Sequence, residues 1–142
     1  MAINPLELGR AVKRLQNFNH RRLETGLREI DTTLAQWDAL RAIDANPGTS
    51  SHALAEETYQ TDQSFGTLAT RMIANGLLER QQGAGRALVH TLTPKGREVL
   101  RQGLRIAEQV IGDTFEGITE AEKIKLLSLL RKLLVSLGME KS

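Results

Sequence analysis

The stretch Ser50–Gly96, SSHALAEETYQTDQSFGTLATRMIANGLLERQQGAGRALVHTLTPKG, decides the fold. It reads as a short helix capped by Ser50, a turn, a second helix, a hairpin and a new helix start. That order describes a winged helix-turn-helix. In the second helix Phe65, Leu68, Ala69, Met72 and Ile73 fall at i, i+3, i+4, i+7 and i+8 and form one apolar stripe. Thr61 can cap its start and Gly76 can close its end. The spacing leaves Asp62, Gln63, Ser64, Gly66, Thr67, Thr70 and Arg71 facing outward.

Short hydroxyls and amides near a helix N-terminus can donate to phosphate, and arginine can fork onto guanine, so this outward set suits DNA. A solvated surface helix has the same pattern, because periodicity yields a fold and not a ligand.

Upstream, Asn4 followed by Pro5 is a helix start, and Leu8, Val12, Leu15 and Phe18 give the first helix an apolar stripe. It is expected to run to about Thr25, with Gly26 as its end. Thr33-Leu34-Ala35-Gln36 reads as a capping box, and Trp37, Leu40 and Ile43 give the second helix a core face before Asn46-Pro47-Gly48 breaks it. Leu54 and Ala55 anchor the next short helix.

Downstream, Leu77–Gln81 and Ala87–Leu92 flank Gln82-Gly83-Ala84-Gly85 as a hairpin. Thr93 and Pro94 start a helix expected to reach about Glu116, with Leu100, Leu104, Ala107, Ile111 and Phe115 as its stripe. Gly117 ends it. Thr119-Glu120-Ala121-Glu122 forms a capping box before IKLLSLLRKLLVSLG, where leucines cover most of the circumference. One small core cannot absorb that surface, so a homodimer built from terminal helices is expected, through Leu8, Val12, Leu126, Leu130, Leu133 and Leu137. A thick intrachain bundle is the alternative.

The 142 residues suffice for a real core and show no internal repeat, low-complexity segment or linker. No apolar run approaches the roughly 18 residues of a membrane span. MAINPLELGR lacks the basic and apolar regions of a signal peptide, and the chain has no cysteine, so a cytoplasmic protein without disulfides or thiol chemistry is expected.

A net charge of +2 and a pI of about 9.2 permit a polyanion partner without demanding one. Between Thr49 and Gly96, however, Arg71, Arg80, Arg86 and Lys95 are balanced by Glu56, Glu57, Asp62 and Glu79. The basic surplus sits in the first helix, on Arg10, Lys13, Arg14, Arg21, Arg22 and Arg28. There it serves as a solvated face, a backbone contact or a partner contact.

No Gly-rich phosphate loop, nucleophile elbow or His–carboxylate constellation is present, so no catalytic residue, enzyme activity or cofactor is expected. His20, His52 and His90 lack metal-ligand spacing, and no metal site is expected. His90 alternates with Leu88 and Leu92 on one strand face and reads as a core or edge histidine, and Trp37 as core.

On LAQWDALRAIDANPG, SSHALAEE, DQSFGTLATRMIANGLLER and LTPKGREVL the chain resembles the MarR family of bacterial transcriptional regulators, over nearly its whole length. The resemblance implies a mainly α fold with a small β-hairpin wing. It implies one unit over residues 1–142, with a winged helix-turn-helix lobe at about 33–96 and dimerisation helices at about 4–28 and 97–138. It also implies a homodimer on a pseudo-palindromic double-stranded DNA operator, with the recognition helix in the major groove and the wing in the minor groove.

Carried over by motif, Gln63, Ser64, Thr67 and Arg71 would face bases and phosphates, Arg86 would sit at the wing, and Ser50 and Ser51 would add phosphate contacts. The chain departs from the family at Thr58 and Tyr59, where an aliphatic residue and glycine are usual. It departs again in the wing, where Gly83-Ala84-Gly85 replaces the aspartate that braces the arginine, and at Thr67, which replaces a commonly basic residue. The function implied is a repressor released by a small-molecule effector bound between dimer helices and DNA-binding lobes, in a pocket lined by the first, second and fifth helices. A winged-helix protein–protein interaction module is the alternative that the uncharged lobe keeps open.

Overall fold

In the computed structural model, which describes residues 1–83, 85 and 88–142, the chain folds as α1 (Pro5–Arg28), α2 (Leu34–Ala45), α3 (Ser51–Glu57), α4 (Asp62–Ala74), β1 (Leu78–Gln82), β2 (Leu88–Leu92), α5 (Pro94–Thr114) and α6 (Glu120–Ser136). Side-chain caps set the helix starts. Asn4, Thr33, Ser50, Thr61, Thr93 and Thr119 each accept a hydrogen bond from an orphan amide of the first turn. Thr119 and Glu122 complete the expected capping box.

The box expected at Thr33 forms only in half. Thr33 Oγ1 accepts from the Gln36 amide at 3.1 Å, but the Gln36 carboxamide oxygen instead accepts from the buried Thr32 hydroxyl at 3.0 Å. Thr32 and Gln36 are both inside the fold, where an unmet polar group would be costly, so they pair with each other.

The core lies where α2, α3, α4 and the hairpin meet. Leu40, Leu54, Phe65, Met72 and Leu78 are fully buried there, each contributing about 1.5–3 kcal/mol of transfer free energy. The α4 stripe is as spaced: Phe65, Ala69 and Met72 are buried, with Leu68 and Ile73 packed at the margin. β1 and β2 pair antiparallel with Leu78 opposite Leu92 and Arg80 opposite His90. Strand β1 begins one residue later than the spacing suggests, because the Leu77 carbonyl accepts from the Thr93 amide as the chain leaves the sheet.

Helix α1 does not stop at Gly26 but continues to Arg28. Gly26 serves another purpose, since a Cβ there would stand 2.6 Å from Ile106 Cγ2 of α5. Asp31 makes the stop instead: at φ 56° it takes the left-handed conformation while the Thr32 amide donates to the Leu27 carbonyl. Tyr59 ends α3 in the same way, at φ 57°, with the Gln60 amide donating to the Ala55 carbonyl at 2.8 Å. An exposed tyrosine thus holds a left-handed conformation that glycine adopts most readily, at a cost of about 1 kcal/mol.

Helix α5 ends at Thr114, two residues short of the expected Glu116. Its buried positions are Gly96, Gly103 and Val110, seven residues apart, while of the expected stripe Leu100 packs against the core and Ala107, Ile111 and Phe115 are half-buried. Gly103 admits the Trp37 indole, whose Nε1 donates to the Leu100 carbonyl at 3.2 Å. Leu104 of the stripe is exposed, and no residue of α6 is buried. Among the described residues no helix is long and apolar enough to cross a membrane.

Candidate nucleic-acid interface

Helix α4 exists because Thr61 caps it and its apolar stripe packs on the core, and the opposite face is therefore held rigidly toward solvent. Gln63, Ser64, Thr67 and Arg71 are all exposed and line one open groove of about 510 Å³ together with Gln60 and Thr61. The structure thus brings four of the sequence-predicted residues onto one surface. It adds Gln60 from the turn, which sequence spacing did not single out.

The Thr67 and Thr70 hydroxyls donate to the Gln63 and Gly66 carbonyls at 3.0 Å. Their protons are occupied within the helix, and outward they offer an oxygen acceptor and a methyl group. Arg71, in the last turn, is the cation of this face.

Ser50 and Ser51 are exposed at the start of α3. Ser50 Oγ accepts from the Ala53 amide at 3.2 Å, and Ser51 Oγ lies 3.3 Å from Nε2 of His90. His90 is buried, as expected, with Phe65 edge-on at 6.3 Å between ring centroids. Leu92 is buried with it, whereas Leu88, on the same strand face, is exposed at the outer end of the hairpin. Arg86 lies outside the described residues.

A clamp between α3 and α4 escaped sequence reasoning. Nδ1 of His52 is 2.8 Å from Oδ1 of Asp62, and Nε2 is 3.1 Å from Oε1 of Glu56. With a carboxylate at each ring nitrogen, both donate, which is the charged imidazolium form. The Asp62 hydrogen bond and charge, followed by the Glu56 charge, raise the His52 pKa above its ordinary value. The ten-residue separation of His52 and Asp62 has no signature in a linear pattern.

A group whose folded pKa is raised contributes stability that is fully present below its unfolded pKa, about 6.5, and is lost as pH rises through the folded value. The expected result is a small stability advantage of the parent over His52→Gln below pH 6.5 that shrinks as pH rises. Thermal melts of both proteins across pH 5.5–8.5 measure it, and an unchanging difference would show that the clamp carries no net stability.

The residues expected at a dimer interface are placed on open surface. Leu8, Val12, Leu130, Leu133 and Leu137 are exposed and Leu126 is half-buried. Ile111, Phe115, Leu126, Leu127 and Leu130 border an apolar cavity of about 280 Å³ between α5 and α6.

Residues 30–87, from the end of α1 into the hairpin, match the model of the MarR family. The HTH-type transcriptional repressor Rv2887 of Mycobacterium tuberculosis is 25% identical over 113 residues, which are 78% of this chain and 81% of the repressor. The structure of Bordetella bronchiseptica BpsR, solved to explain regulation of its DNA binding by 6-hydroxynicotinic acid, is 25% identical. It superposes with a TM-score of 0.79 over 89% of this chain and 98% of that one. A mutant of E. coli MarR complexed with operator DNA is 21% identical and has the same fold, with a TM-score of 0.80 over 90% of this chain and 94% of that one. Among the described residues the six helices and one antiparallel hairpin are arranged as in these proteins, and the match to the MarR family model lies on the lobe that carries the exposed face of α4.

Proposed function

We propose that this protein is a sequence-specific DNA-binding transcriptional repressor, acting as a homodimer on a pseudo-palindromic operator and released from it by a small molecule. The observation that carries the reading is the shared exposed face of Gln63, Ser64, Thr67 and Arg71 on a helix rigidly backed by the core. Such a face fits a major groove, with amide, hydroxyl and guanidinium groups aimed at base edges and phosphates. The relatives support it: Rv2887 is a repressor, E. coli MarR has been solved on operator DNA, and BpsR responds to 6-hydroxynicotinic acid. The family is one of regulators rather than enzymes.

Dimerisation follows from the exposed leucines of α1 and α6, which need a cover that their own protomer does not supply. The proposal also assigns a minor-groove contact to Arg86 of the wing and phosphate contacts to Ser50 and Ser51. For the effector, an open cavity of about 610 Å³ lies where the α1–α2 turn, the end of α4 and the start of α5 meet. Gln36, whose carboxamide oxygen accepts from Thr32, lines this joint with Asn75 and Lys95.

Arg71→Ala is expected to weaken operator binding about tenfold to a hundredfold, the range for loss of one arginine–base contact, without changing the oligomeric state. Mobility shifts with fragments from around the coding locus, at several salt concentrations and against nonspecific competitor, test both statements. A competitor-resistant shift that weakens steeply with salt is expected. The reading would be falsified if no fragment shifts at low salt, and Arg71 is misassigned if its alanine variant binds like the parent.

A further inference from the structure

We infer that His90 is a positioning residue for DNA binding, holding the Ser51 hydroxyl so that its proton points outward to an operator phosphate; the inference rests on the regulator reading above. His90 is 6% exposed, and its two ring nitrogens have unequal fates. Nε2 lies 3.3 Å from Ser51 Oγ, while Nδ1 is buried with no hydrogen-bond partner among the described residues.

A neutral imidazole carries one proton, on either nitrogen. If it sat on Nδ1, a buried N–H donor would be orphaned, which folded proteins almost never tolerate. On Nε2 it donates to Ser51 Oγ, and only a lone pair is left bare. The imidazole stays neutral because burial, and then the Arg80 guanidinium opposite it on β1, hold its pKa below the ordinary value. The other charged groups nearby, Asp44 and Arg97, pair with each other at 3.1 Å across the small cavity that His90 also borders.

Because Nε2–H fills an acceptor position on Ser51 Oγ, the serine's own proton is free to be donated. Ser51 is exposed on the surface of the α3–α4 pair, so that proton is available to a phosphate oxygen. The bond also joins strand β2 to α3, so the wing and a phosphate contact are held by one side chain. An apolar residue at position 90 would fill the same space and leave Ser51 free to rotate.

The test uses the full chain and the operator fragment identified by mobility shift, with four variants. His90→Leu and Ser51→Ala are each expected to weaken binding about five- to tenfold, and the double variant no further than either alone. His90→Gln, whose Nε2 places a donor near the position of the imidazole Nε2–H, is expected to recover most of the loss. Independently of DNA, nitrogen NMR of the histidine rings is expected to find His90 protonated on Nε2.

The inference is overturned if His90→Leu binds like the parent, if the two losses add in full, or if the proton resides on Nδ1. If the parent binds no DNA, the regulator reading itself fails and this one with it. If the parent binds and the His90→Leu loss does not depend on Ser51, only this inference fails.

Discussion

Leu130→Glu is expected to convert the protein from dimers to monomers at micromolar concentration and to abolish specific operator binding. Helix α6 carries no buried residue, and Leu127, Leu129, Leu130, Leu133 and Leu137 are all exposed, an apolar surface too continuous for a monomer in water. In a two-fold interface each substitution appears twice, facing its own copy or near neighbours. Burying two unpaired carboxylates there costs several kcal/mol each, more than the apolar contacts around a single leucine return. Position 130 also borders the apolar cavity between α5 and α6, so the charge would stand against a mainly apolar lining.

Light scattering after gel filtration reads the oligomer, and circular dichroism checks that the lobe remains folded. The dimer assignment would be sunk by a variant that stays fully dimeric. A variant that is monomeric yet binds the full operator as tightly as the parent would sink the requirement for two linked lobes.

Gly96→Ala is expected to cost about 3 kcal/mol or more of stability, at the upper end of what a single methyl group does. A Cβ at position 96 would overlap the Leu77 carbonyl oxygen, approach its carbon to 3.2 Å and meet Leu40 Cδ2 at 3.5 Å. The obstacle is backbone, and that carbonyl is already engaged by the Thr93 amide, so it has little room to give. The Gly96 amide is in turn held by Thr93 Oγ1 at 3.0 Å. For a chain of this size such a loss lowers Tm by about 10 °C. A variant melting within a degree or two of the parent would mean that α5 can slide away from β1 freely.

The features legible in the sequence are those written in local spacing. A capping residue touches an amide two or three positions away, so Asn4, Ser50, Thr61, Thr93 and Thr119 announce their helices. The stripe from Phe65 to Ile73 sets the rotation of α4 about its axis, and with it which residues face out. That rotation is why spacing alone puts Gln63, Ser64, Thr67 and Arg71 among the outward residues of α4, whereas choosing these four from that set takes the family resemblance.

Illegible features depend on partners far along the chain. Gly26 looks like a helix end because glycine at that position satisfies a local rule, whereas its reason is Ile106 on another helix. Gly96 and Gly103 carry no local message, because what requires them is the close approach of Leu77 and Trp37. Asp31 and Tyr59 hold left-handed conformations that composition does not flag. The Ser51–His90 and His52–Asp62 contacts are products of tertiary placement, so the electrostatic character of α3 is hidden even where its boundaries are not.

The seam that makes Gly96 indispensable also sets how motion is transmitted. Around the start of α5, Thr93 donates to the Gly76 carbonyl, Lys95 Nζ donates to the Asn75 carbonyl at 2.9 Å, and Gly96 abuts Leu77. The trailing end of α4 is therefore bolted to the head of a 21-residue rod. Such a rod is about 30 Å long, and tilting it by about 5° about its midpoint shifts each end by about 1.4 Å. That shift is comparable with the tolerance of a hydrogen bond to a base edge. The close contact of Gly103 with Trp37 lies near the midpoint of that rod, so a tilt about it would move the two ends in opposite directions and carry a slight repacking at one end to the other.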